Sequence, residues 1–136
     1  MFKISPINDK KLQKNYASAC GAEFRPDYFA YAMTDVESGD LMAIAQFEID
    51  GEYGYISDIR SRIGYSDFEA MFILGRSTMN FIDLCGAHIC RAASDAGEER
   101  LLRAIGFKKK ETNEYECNMQ GMFDGKCDGH AVQLDK

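Results

Sequence analysis

Apolar and polar positions alternate from Phe2 to Ile7, which predicts a short strand, and the period then changes. Asn8 or Asp9 is placed to cap a basic helix that runs to about Cys20 and ends at Gly21. Arg25-Pro26-Asp27 reads as a turn, and the aromatic-rich run from Tyr28 to Thr34 as a strand. Glu37-Ser38-Gly39-Asp40 is a hairpin connection, Leu41 to Ile49 returns as a strand, and Asp50-Gly51 turns the chain again. Tyr53 to Arg60 completes a three-stranded antiparallel meander, which closes on the run Ile59-Arg60-Ser61-Arg62.

Beyond this point the pattern becomes helical. Ser66-Asp67-Phe68-Glu69 fits a capping box, with Ser66 as the cap and Glu69 reaching back to it. Phe68, Met71, Phe72, Gly75, Met79 and Ile82 then recur on one face of a long helix that Gly86 ends. Ala87 to Ala93 predicts a strand. Ser94 or Asp95 caps a second helix carrying Leu101, Leu102 and Ile105, and Gly106 stands where a C-terminal cap is needed. Lys108 to Met119 predicts the last strand, so that residues 1–119 form one domain and 120–136 a loop or tail.

A length of 136 residues suits one such domain. The net charge of −6 argues against nucleic-acid phosphates as the main partner, and its distribution is uneven. Met1 to Ala22 carries +3, Glu23 to Glu69 carries −8, and the remainder carries −1. No window approaches the length of a membrane span or of a signal peptide's apolar region, so a cytoplasmic protein without membrane contact is expected. The five cysteines, Cys20, Cys85, Cys90, Cys117 and Cys127, are odd in number and irregular in spacing, which predicts free thiols. Cys85, His88 and Cys90, or Cys127 and His130, lack the spacing of a zinc site, and no metal is expected.

The order strand, helix, meander, long helix, strand, helix ending in Gly106-Phe107, strand resembles the GNAT superfamily of N-acetyltransferases. The resemblance implies an α+β (α/β) acyl-CoA N-acyltransferase fold, with a mixed central sheet of about six strands flanked by three to four helices. It further implies acetyl-CoA as co-substrate, held where the fourth and fifth strands splay apart, and direct attack of an amine on the thioester carbonyl. Members seat the pyrophosphate on a Gly-rich loop, Q/RxxGxG/A, that opens the long helix.

This chain departs from that pattern. Counted back from Gly86, the loop falls on Ser66 to Met71, with Glu69 and Met71 in place of small residues. Counted forward, with Ile59 and Ser61 in the positions of the family's Val-x-Pro, it lies two residues earlier, around Gly64 and Asp67. The resemblance therefore places co-substrate binding on Ile59, Arg60, Ser61, Arg62, Gly64 and Ser66. Arg60 and Arg62 have a second reading, as partners of the acidic middle segment. The tyrosine that protonates the departing thiolate in many members corresponds here to Leu102. Tyr115 or Cys90 are substitutes, with packing as their other reading. Glu52, Tyr55 and Asp58 are candidate bases; Asp58 is nearest the expected splay, and its other reading is a surface partner for Arg60 or Arg62. The acidic segment suits a small-molecule or peptidyl amine acceptor carrying positive charge. Two functions remain open: an N-acetyltransferase, or a GNAT-like binding or regulatory domain that has lost CoA. Met119, Met122 and Phe123 near the last strand also suggest pairing into a homodimer.

Overall fold

Every segment read as a strand pairs into one sheet in the computed structural model, which describes residues 1–123. The elements are β1 (Phe2–Pro6), α1 (Lys10–Ala19), β2 (Phe29–Asp35), β3 (Leu41–Asp50), β4 (Tyr53–Ser61), α2 (Phe68–Leu84), β5 (Ile89–Ala92), α3 (Glu99–Ile105), β6 (Lys108–Lys109) and β7 (Tyr115–Asn118). The sheet is mixed and open, in the order β1-β2-β3-β4-β5-β7-β6. Among the described residues only β4 and β5 run parallel; α2 is the connection between them.

Among the described residues seven strands are present where about six were expected. The segment from Lys108 to Met119 is not one strand but two, β6 and β7, because the chain turns between them. Lys110 N–H donates to the Glu114 carbonyl at 2.7 Å, and Asn113 takes a left-handed φ of 72°. Asparagine tolerates that conformation better than most residues.

β3 is the strand around which the layers form, and alternation along it sends side chains to both faces. Ile44 packs with Ala17 and Cys20 at the end of α1, together with Ala30, Ala32 and Leu41. Ala43, Ala45 and Phe47 face the other way and join Leu74, Met79 and Ile82 of α2. α3 packs beside α2 because Gly75 has no side chain: a Cβ there would stand 2.3 Å from Cδ1 of Ile105. Gly54 of β4 similarly makes room for Ile82.

Two helix starts differ from expectation. Asp67, not Ser66, caps α2, and its Oδ1 accepts from Ala70 N–H at 3.0 Å. The chain stays extended through Asp67, so Ser66 falls one residue outside the cap and the Ser66–Glu69 box does not form. Glu98 stands at the cap of α3 without a side-chain bond, because Ser94 and Asp95 are spent in a turn before it. Packing continues past Met119, where the domain was expected to end: Met119 is fully buried and Met122 and Phe123 lie against the same core. Cys127, His130 and the rest of the expected tail from 124 onward lie outside the described residues.

Candidate functional site

The site begins with an irregularity in β4. Gln46 pairs with Asp58 and Phe47 with Ile56, which leaves Ser57 as an extra residue on β4. Such a bulge bends its strand and increases the local twist. On its other edge β4 pairs with β5 only from Tyr53↔Ile89 to Ile56↔Ala92. Past Ile56 the two strands separate, and Ser57 to Ser61 have no strand on that side.

A cavity of about 620 Å³ opens at this separation. Ile59, Arg60, Ser61, Arg62, Gly64 and Ser66 all line it, so the structure brings together the six residues singled out for co-substrate binding. Asp67, Phe68 and Met71 add the start of α2, and Asp95, Gly97, Glu98, Arg100 and Leu101 add the loop before α3 and its first turn.

Its electrostatics are mixed. Arg62 is half-buried, and among the described residues its buried Nε has no hydrogen-bond partner. A buried donor left unpaired is costly. The Arg100 guanidinium lies 4.0 Å from the centre of the Phe68 ring. Arg60 is already engaged: Nε donates to Asp58 Oδ1 at 3.0 Å and Nη2 to the Asp95 carbonyl. Asp67, Asp95 and Glu98 bring negative charge to the same walls. Cys20 also lines the cavity; burial pushes its thiol up to about 12, although Arg62 and a backbone hydrogen bond at Ile44 pull the other way. Asp67 already occupies the Ala70 amide at the start of α2.

Asp58 is 1% exposed and pairs with Arg60, so its reading as a partner for that arginine is present but buried rather than on the surface. It lies behind the cavity wall and receives four donors: Ser57 Oγ at 2.7 Å, Gln46 Nε2 at 2.8 Å and Arg25 Nε at 3.3 Å on Oδ2, and Arg60 on Oδ1. Gln46 extends the network to Gln13 of α1 and to the backbone of Glu23 and Arg25. The alternating pattern of β4 concealed this, because around the bulge the consecutive residues Ile56, Ser57, Asp58 and Ile59 are all buried.

The other candidates are dispersed. Tyr115 is buried in the core and borders a separate cavity of about 630 Å³, with Arg91, Lys110 and Glu114. Cys90 is fully buried, its thiol pushed up by burial and then by Cys117. Leu102 is core, and Glu52 is exposed in the β3–β4 turn, at the far end of β4 from the cavity. Tyr55 is half-buried on β4. Its phenol is pushed up by burial first and then by Glu114, with Arg25 opposing and Asp95 and Asp58 adding to the rise. Tyr28, beside Glu48, is raised by burial and by that carboxylate. Sequence reasoning missed this grouping of Tyr28, Glu48, Tyr55 and Glu114, and also Gly97 and Arg100. No local pattern announces residues drawn from four separate segments. Among the described residues no group of three or more His, Cys, Asp or Glu is disposed to hold a metal, and no helix is long and apolar enough to cross a membrane.

No family model matches the chain, and no curated protein matches it. Solved structures do. A PaiA N-acetyltransferase from Thermoplasma acidophilum in complex with coenzyme A superposes with a TM-score of 0.66 at 10% identity, over 87% of this chain and 99% of that one. A GNAT family acetyltransferase from Brucella melitensis in complex with acetyl-CoA gives 0.66 at 11% identity, over 87% and 88%. The ribosomal-protein-S18-alanine N-acetyltransferase from Escherichia coli gives 0.63 at 15% identity, over 85% and 89%. The chain therefore has the acyl-CoA N-acyltransferase fold of the GNAT proteins.

Proposed function

We propose that this chain is an acyl-CoA-dependent N-acetyltransferase whose acyl donor enters the cavity between β4, α2 and α3. The observation that carries the reading is the cavity where β4 and β5 part, with Arg62 and Arg100 both on its lining. Arg62 meets the diphosphate as a charge-assisted donor, with Arg100 as the second available cation. Gly64 and Ser66 border the same anion, and Ile59 and Ser61 present the backbone edge of β4. Acetyl-CoA supplies an activated carbonyl when bound. The acceptor amine, small or peptidyl, approaches on the face that carries Tyr28, Glu48, Tyr55 and Glu114, where the two carboxylates attract a cation. Tyr55 stays protonated through the neutral range and can return a proton to a leaving group. Asp58, with four donors on its oxygens, holds β4 in place and leaves proton transfer to that group.

Calorimetric titration with acetyl-CoA tests the reading. Saturable heat is expected, and it weakens at least tenfold in Arg62→Gln. No heat at submillimolar ligand in the unmodified protein removes the proposal.

Two contacts and one residue favour a second reading, a domain that binds something other than CoA. Ile59 N–H is taken by the Ala96 carbonyl, Asp67 holds the Ala70 amide, and Leu102 stands where the family's acid is expected. Under that reading neither CoA nor acetyl-CoA changes thermal stability.

A further inference from the structure

The residues from Ala93 to Glu98, between β5 and α3, lie across the free edge of β4, and three contacts hold them there. Ile59 N–H donates to the Ala96 carbonyl at 2.8 Å. Arg60 donates through Nη2 to the Asp95 carbonyl while its Nε stays on Asp58, so one guanidinium ties the loop to the buried network. Gly97 comes so near that a Cβ would stand 2.8 Å from the Ile59 carbonyl oxygen. The contact atom is backbone, which cannot rotate away, so close approach accounts for glycine at this position. The loop thus satisfies an edge amide of β4 that a neighbouring strand satisfies elsewhere in the sheet.

The geometry points to a strap. The 93–98 loop closes the exposed edge of β4 in the ligand-free protein, and Arg60 is its catch. Any extended ligand that enters the gap must bond to the same edge, as an added strand would, and it competes with Ala96 for Ile59 N–H. If the cavity takes an acyl donor, as proposed above, binding carries the cost of lifting the strap, and the observed affinity falls by the fraction of molecules that are open. Arg60 is accordingly a positioning residue that acts through the loop, not a contact to the ligand.

Two variants separate these roles. Arg60→Met releases the catch and leaves Asp58 three donors. Gly97→Ala forces the loop off Ile59 and keeps every donor to Asp58 in the sequence. Residue-resolved amide exchange by NMR on the full chain is the readout. The Ile59 amide is expected to be protected in the unmodified protein and to exchange about tenfold faster in each variant, while Ala45 and Phe47 keep their rates. An unprotected Ile59, or unchanged exchange in both variants, overturns the strap. Titration with CoA supplies the second arm. Binding about tenfold tighter in Arg60→Met is expected, and weaker binding makes Arg60 a ligand contact and overturns its role as the catch. Binding with Ile59 still protected through Ala96 overturns the strap as a gate. If neither protein binds CoA while the exchange pattern holds, the acyl-donor reading falls and the strap stands.

Discussion

Cys20 and Asp58 are both buried, with opposite consequences. The thiol has no charge to satisfy and burial simply holds its proton, to about pH 12 in the folded protein against an ordinary 9.0. Between those values the unfolded chain has lost the proton and the folded one has not, so this residue's contribution to stability declines as pH rises. Urea midpoints measured from pH 8 to 11 should fall less steeply in Cys20→Ala than in the unmodified protein. Asp58 is a carboxylate whose oxygens are fully engaged, and removing it strands Ser57 and Gln46 as buried donors beside two guanidinium groups. Asp58→Ala is expected to cost about 3 kcal/mol in urea unfolding. Its identity as a carboxylate near the end of a strand was legible in the sequence. Its burial was not, because the side chains that close over it, Gln46 and Arg25, come from other segments.

At the scale of the element, α2 is the helix whose two ends and two faces matter most. Asp67 caps it, so Asp67→Ala should lower stability by about 1 kcal/mol, whereas Ser66→Ala and Glu69→Ala leave it nearly unchanged. The same change frees the Ala70 amide and removes a negative charge from the cavity, so CoA should bind more tightly to Asp67→Ala. The helical face carrying Phe68, Met71, Phe72, Gly75, Met79 and Ile82 was readable from spacing alone; four of the six are buried, and Phe68 and Phe72 are partly buried against the same core. What spacing does not reveal is why Gly75 is a glycine. Gly75→Ala ought to gain roughly 1 kcal/mol in helix propensity, yet it drives a methyl against Ile105. A net loss of about 2 kcal/mol is expected, as for other overpacked contacts. Adding Ile105→Val, which removes the nearest atom, should recover part of it; the paired variants in a thermal melt check the coupling.

For the whole molecule, the expected signature of a ligand in the β4–α2–α3 cavity is mass action. At a hundredfold excess over its dissociation constant a ligand specific for the native state adds about 2.7 kcal/mol. For a chain of this length that is roughly 8 °C in melting temperature. A thermal melt with CoA reads that shift directly, and its absence favours the second reading. The sequence by itself determined most of the elements and their order, because hydrophobic period and turn residues are local properties; the split of Lys108–Met119 into β6 and β7 was not among them. It also determined the sign of the charge, and the family resemblance, not spacing, pointed to the six residues from Ile59 to Ser66, which border the cavity. Only the tertiary structure decided what faces them. The bulge at Ser57 separates β4 from β5, the loop at Ala96 and Gly97 fills the gap, and Arg62 is left with a buried donor and no acceptor among the described residues. Each of these depends on segments more than thirty residues apart meeting at one edge of the sheet, or on a one-residue slip in pairing. Neither leaves a local pattern in the chain.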